Sequence, residues 1–167
     1  MLEFRKPRLY LETTVPSYYT SRPSADIVLA GHQQITREWW LFRSSGYGIF
    51  VSELVWQEAS RGDGEASVKR CEAIAAFPVL RTNPLALDLA GEYLKTLPLP
   101  ANAGADALHL ALAVVNGMDY LLTWNCRHIA RGSVKRALPG VNDKLGYDTP
   151  TICTPEELLY DNPDDMV

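Results

Sequence analysis

Residues 104–125 read GADALHLALAVVNGMDYLLTWN, and this stretch decides the fold. Its first half is rich in alanine and leucine and stops at Asn116-Gly117, a pair that suits a helix C-terminus because both residues tolerate a left-handed backbone. Its second half, Met118 to Trp124, is a short apolar run closed by Asn125 and reads as a strand. A helix leading directly into an apolar strand is the repeating unit of a parallel sheet, whose neighbouring strands need crossover connections.

The same alternation continues outward. Toward the N-terminus, Arg8-Leu9-Tyr10-Leu11 reads as a strand buried on both faces and ending at Glu12, followed by a polar turn from Thr13 to Ser17. Ser24 is the expected cap of a long helix that runs to Phe42 and closes at Ser44-Ser45-Gly46. Tyr47 to Val51 is the second strand, Ser52 caps a helix through Ala59, and a further helix spans about Glu65 to Ala76. Pro78 to Arg81 is the third strand, and Asn83-Pro84 starts a helix that ends at Leu97. Toward the C-terminus, Thr149 to Cys153 is the fifth strand, Glu156 to Tyr160 a last helical turn, and Asp161 to Val167 an acidic tail. The expectation is one α/β domain over residues 1–167 with its core over 9–159. It has three layers: a mostly parallel central sheet of about five strands, with helices on both faces.

Composition narrows the class. The chain has 167 residues, 47% of them hydrophobic and 22% charged, which suits one soluble globular domain. Cys71, Cys126 and Cys153 are an odd number at wide spacing, which argues against a disulfide framework and for a reducing, cytoplasmic setting. No apolar run reaches the ~20 residues of a membrane span. The net charge of −4 is the wrong sign for a protein that holds nucleic acid by its phosphates alone, so such a role requires a local basic patch and a cation.

Four polar residues stand where apolar neighbours make them conspicuous. Glu12 closes the first strand. Glu58 follows Leu54 by four positions and Val55 by three, so helical geometry puts it on their apolar side. Glu53 lies roughly 140° away around the same helix and reads as a first-turn charge that suits the dipole. Asp106 opens the alanine-rich helix on a face shared with Leu110 and Ala113, and Asn125 ends the fourth strand with Thr123 pointing to the same side. In open parallel sheets ligands bind beyond the carboxyl ends of the strands, which is where Glu12 and Asn125 belong.

Taken in order, these segments resemble the PIN-domain family and, within it, the VapC-type toxin ribonucleases. Leu9-Tyr10-Leu11-Glu12-Thr13-Thr14-Val15 is similar to the opening strand, Val51-Ser52-Glu53-Leu54-Val55-Trp56-Gln57-Glu58 to the second motif, Ala105-Asp106-Ala107-Leu108-His109-Leu110-Ala111 to the third, and Leu121-Leu122-Thr123-Trp124-Asn125 to the fourth. Two positions depart from the pattern: Glu12 stands where Asp is usual, and Asn125 where an acid is usual. The resemblance implies a metal-dependent endoribonuclease with Glu12, Glu58, Asp106 and Asn125 as its catalytic positions and Mg²⁺ or Mn²⁺ as cofactor. Glu12 and Asp106 are then direct ligands, and Glu58 acts directly or through water. Thr13 and Thr123 support them, and Asn125 with Thr123 holds a metal-bound water. It also implies RNA as substrate, an antitoxin protein that masks the activity, and a homodimer. Arg127, His128 and Arg131, in the basic run after Asn125, are the expected RNA contacts, with Lys135 and Arg136 beyond them.

Other readings stay open at this point. The missing fourth acid motivates a non-catalytic RNA- or protein-binding module on the same fold. The acidic net charge permits a hydrolase of small phosphate esters. His109 reads as a residue packed along its helix. Trp39, Trp40 and Phe42 read as core, with one of the adjacent tryptophans facing outward toward a second copy.

Overall fold

The computed structural model describes residues 5–161. Its five strands are β1 (Arg8–Leu11), β2 (Gly48–Ser52), β3 (Val79–Leu80), β4 (Tyr120–Leu122) and β5 (Thr151–Cys153). They form one wholly parallel sheet in the order β3-β2-β1-β4-β5. β1 is the central strand, with Tyr10 paired to Phe50 on one side and to Leu121 on the other. Leu9, Tyr10 and Leu11 are completely buried, as the unbroken apolar run of β1 requires of a strand covered on both faces.

Among the described residues seven α-helices connect the strands, α1 (Thr14–Thr20), α2 (Ile27–Phe42), α3 (Glu53–Ala59), α4 (Gly64–Ile74), α5 (Pro84–Thr96), α6 (Gly104–Val115) and α7 (Gly132–Leu145), and α8 (Pro155–Tyr160) follows β5. The chain steps from β1 to β2 to β3, then crosses back over β1 to β4 and β5. Since crossovers are right-handed, this reversal sends α1–α4 to one face and α5–α7 to the other. Packing agrees: α1 touches α2 and α4, α8 touches α2, and α5 touches α6. Tyr93 on α5 also donates a hydrogen bond to Asn142 on α7. The reversal leaves a crevice at the carboxyl ends of β1 and β4.

Three local expectations are corrected. The segment after Glu12 is helix α1 rather than a polar turn; Pro16 is tolerated because it falls in the first turn, where its missing N–H has no intrahelical partner. α2 is capped by Asp26, whose Oδ1 accepts Leu29 N–H at 2.9 Å, while Ser24 Oγ only accepts the N–H of Asp26. α7 was not anticipated. Only Val134, Leu138 and Asn142 of α7 are buried, one residue per turn, and Pro139 interrupts the pattern. Gly146, at φ 79°, ends it in the left-handed conformation that glycine adopts freely.

Neither tryptophan of the adjacent pair is an outward anchor. Trp39 is fully buried, and Trp40 stacks on Tyr19 at 4.2 Å; Phe42, expected in the core, is 72% exposed instead. The basic start of the chain lies partly outside the described residues, but Arg8 is engaged, donating to Asn116 O at 2.8 Å and lying over the Phe50 ring. The acidic tail beyond Asp161 lies outside the described residues. Among the described residues, no helix is long and apolar enough to cross a membrane.

Candidate active site

Glu12 leaves the end of β1 and is only 4% exposed. Its main-chain N–H donates to Leu122 O at 3.0 Å, which fixes it against the end of β4. A buried carboxylate must be solvated by the protein, and two threonines do this. Thr14 Oγ1 and Thr123 Oγ1 donate to Glu12 Oε2 at 2.5 and 2.7 Å, and Thr14 N–H adds a third bond at 3.1 Å. Each hydroxyl also accepts a main-chain N–H, Thr14 from Trp124 and Thr123 from Asn125, so neither can turn away.

Glu58 lies on the inward side of α3, as its spacing from Leu54 and Val55 predicts. Its Oε1 accepts from Thr13 Oγ1 at 2.8 Å and from His109 Nε2 at 2.5 Å. Glu53, on the other side of the helix, accepts Thr82 N–H. His109 is 1% exposed, and its Nδ1 lies 2.7 Å from Tyr10 Oη, which in turn lies 2.8 Å from Ser52 Oγ. Burial alone raises the Glu58 carboxyl, but the hydrogen bonds from His109 and Thr13 and the nearby His109 charge outweigh it and hold the group below its ordinary value. Burial likewise lowers His109. The bond to Glu58 and the charges of Glu12, Glu58 and Asp106 outweigh it, so the imidazole is held above its ordinary value. The two shifts agree on an ionised pair.

Asp106 sits in the first turn of α6. Asn125 Nδ2 donates to its Oδ1 at 2.9 Å, and His128 Nδ1 to its Oδ2 at 2.7 Å. Asn125 Oδ1 meanwhile accepts His128 N–H at 3.1 Å. The Asn125 carbonyl therefore clips the loop after β4 and the amide solvates Asp106, a task an acid at this position cannot perform. The structure thus joins Glu12, Thr123, Asn125, Asp106 and His128 in one hydrogen-bonded chain, and Thr13, Glu58, His109, Tyr10 and Ser52 in another.

Of the expected basic contacts, Arg127 and Arg131 are exposed, while His128 turns inward to Asp106. His109 was read as packing and is instead a polar member of the site. Its signal was available: it follows Asp106 by three positions and so shares its helix face. A cavity of about 720 Å³ opens at the opposite, amino end of the sheet, lined by Tyr47, Tyr120 and Leu158 among others, and none of the candidate residues lines it.

The donor chemistry suits a hard cation held by few protein oxygens, because every hydrogen bond from the described residues falls on Oε2 of Glu12 and on Oε1 of Glu58. One oxygen of each is left to a ligand, whereas both Asp106 oxygens already accept a hydrogen bond and offer only their remaining lone pairs. Mg²⁺ commonly takes only one or two carboxylates and completes its shell with water. A full cage is a different matter: among the described residues, no three His, Cys, Asp or Glu side chains are grouped as cation ligands.

No protein-family model matches the chain, and no curated protein matches it. Among solved structures, the Mycobacterium tuberculosis toxin VapC20, which cleaves the sarcin–ricin loop, superposes with a TM-score of 0.57. The match covers 76% of this chain and 97% of that one at 16% sequence identity. At that identity the likeness is one of fold, and the fold of this chain is PIN-like.

Proposed function

We propose that this chain is a divalent-cation-dependent endoribonuclease, a toxin of the VapC type held in check by an antitoxin. The observation that carries the reading is the hydrogen-bonded linkage at the carboxyl edge of the sheet: Glu12 is tied to Asp106 through Thr123 and Asn125, and Glu58 lies 2.5 Å from His109, one turn along the helix of Asp106. Glu12 and Asp106 are the proposed ligands of Mg²⁺ or Mn²⁺, with Glu58 joining directly or through water. A cation held there supplies positive charge to polarise a phosphoryl oxygen and makes water more acidic.

The chain's own residues do the positioning. Thr14 and Thr123 aim Glu12 from two sides, leaving Oε1 as its working atom. Thr13 and His109 hold Glu58 by Oε1, so Oε2 is the oxygen able to orient an attacking water. Asn125 fixes Asp106 and the following loop together, and exposed Arg127 and Arg131 on that loop are the proposed phosphate contacts. Homodimerisation and antitoxin binding belong to the same proposal; two separate exposed apolar pairs, Leu41 with Phe42 on α2 and Leu85 with Leu87 on α5, are candidate contacts for them.

A specific observation favours the second reading, a binding module without turnover: Glu58 and Asp106 are each already paired with an imidazole. The deciding experiment is incubation of a mixed single-stranded RNA pool with the purified chain in Mn²⁺ or Mg²⁺, beside an EDTA control and Asp106→Ala. Cleavage that needs the metal and is lost in the variant supports the nuclease. RNA left intact by a folded, antitoxin-free chain, in every metal, leaves the binding module.

A further inference from the structure

Three aromatic rings lie parallel beside the carboxylate cleft. Trp124 falls between Thr123 and Asn125 and is only 8% exposed. Its ring is held by Nε1–H donating to Thr36 Oγ1 at 2.8 Å, and its backbone by N–H donating to Thr14 Oγ1 at 2.8 Å. His32 stacks on it with centroids 4.1 Å apart and planes 15° apart. Tyr18 has nearly the same orientation, tilted 19° from Trp124 and 14° from His32 at 6.0 and 6.5 Å.

These distances fix the arrangement. A column with Tyr18 on the far face of Trp124 would separate Tyr18 from His32 by roughly 7 Å or more, twice the ~3.5 Å contact distance. The observed 6.5 Å is shorter, so Tyr18 stands beside the His32–Trp124 stack and widens it. Tyr18 and His32 are both partly exposed, unlike Trp124 beneath them. Thr14 Oγ1 joins the stack to the cleft, since it accepts the Trp124 N–H and donates to Glu12 Oε2.

Two partly exposed, near-parallel rings beside a rigid buried indole suit an unpaired base, because every base has a face to stack and none of its edges must be matched. Hydrophobic packing alone does not require three rings to be parallel, since aromatic pairs adopt edge-to-face arrangements as readily. Arg127 and Arg131, exposed on the loop that follows Trp124, add positive charge for the adjoining phosphates.

We propose that Tyr18 and His32, backed by Trp124, form a stacking platform for one unpaired nucleobase of single-stranded RNA next to the scissile phosphate. This rests on the ribonuclease reading for its substrate class and adds to it how the strand is seated. It also sets a preference: duplex RNA, whose bases cannot leave the stack without cost, is a poorer ligand than a loop or single strand.

The test uses the full chain in EDTA, so that binding is read without cleavage. The probe is a single-stranded RNA decamer carrying 2-aminopurine, with an abasic sugar–phosphate decamer as control, and the readouts are fluorescence quenching and Kd. Tyr18→Ala and His32→Ala are expected to weaken decamer binding by about 5- to 150-fold each, while Tyr18→Phe, which keeps the ring, stays close to the parent chain. The abasic decamer is expected to bind parent and Tyr18→Ala alike. Circular dichroism shows that each variant is folded; should Tyr18→Ala not be, His32→Ala and the abasic comparison carry the test.

Equal decamer affinity in the parent and a folded alanine variant overturns the platform, while metal-dependent cleavage by the parent would leave the nuclease standing. Quenching lost in the variants, in a chain that cuts no RNA in any metal, supports the platform and removes the nuclease. A parent chain that binds neither decamer overturns the platform.

Discussion

Replacing Asn125 with Asp restores the acid that the PIN pattern has there, and the structure predicts that the chain then loses stability that a cation gives back. Asn125 Nδ2 donates to Asp106 Oδ1 at 2.9 Å. The substitution removes that charge-assisted bond, worth about 1.5–3 kcal/mol, and sets two carboxylates at the same distance. Their repulsion is ~1.4 kcal/mol at the dielectric of water and ~5.7 kcal/mol at an effective value of 20. The Asp106 side chain keeps 20% of its exposure, so water and a small rotation of the new side chain hold the repulsion near the lower figure. The His128 N–H contact survives, since a carboxylate oxygen accepts it as an amide oxygen does. A total of about 3–4 kcal/mol follows, or roughly 6–16 °C in melting temperature for a domain of this size. The assay is thermal unfolding of the parent and Asn125→Asp in EDTA, then in millimolar Mn²⁺. The variant is expected to melt well below the parent in EDTA and to regain more than the parent gains when Mn²⁺ is added, because binding to the folded state alone is stabilising. A variant that melts with the parent in EDTA would refute the role given to the Asn125 amide.

Three further outcomes follow from the same geometry. His109→Ala strips Glu58 and Tyr10 of a buried partner and is expected to cost ~3 kcal/mol, seen as a lower urea midpoint with an unchanged slope. Burial raises the phenols of Tyr10 and Tyr93 and pushes that of Tyr47 up from 10.0 to about 12, so the unfolded chain loses these protons first. Stability is therefore complete below pH 10 and falls as pH rises from 10 toward 12, which phenolate absorbance during alkaline unfolding would follow. Burial pushes the Cys153 thiol up to about 12, while Cys126 is exposed and Cys71 half-buried. A disulfide reagent is expected to modify Cys126 fast, Cys71 slowly and Cys153 only on unfolding.

What could be read in advance was whatever the sequence repeats as a pattern. The apolar runs of β1 and β4 are legible because both faces of a parallel strand are buried, and Glu12 is legible as the point where such a run meets charge. α1 and α7 were not. α1 carries a proline and a polar composition whose helical use depends on packing under α2, and α7 buries one residue per turn. The site divides in the same way. The inward face of Glu58 follows from helix geometry, whereas the partners that hold it are set by tertiary contacts: Thr13 lies 45 positions away and His109 lies 51. The inward turn of His128 and the stack of Trp40 on Tyr19 are likewise decisions of packing, which no local spacing encodes.

The central place of β1 bears on how the chain is made. Synthesis runs from β1 toward β4, yet β4 is one of β1's two neighbours, and Glu12 waits for a hydroxyl 111 positions further on. Until then one edge of Leu9, Tyr10 and Leu11 has no strand beside it, and long-range parallel pairing of this kind is slow. The cleft is thus closed by β4 and the residues just after it. A nascent chain therefore has no complete carboxylate cleft before β4 and Asn125 have been made and paired.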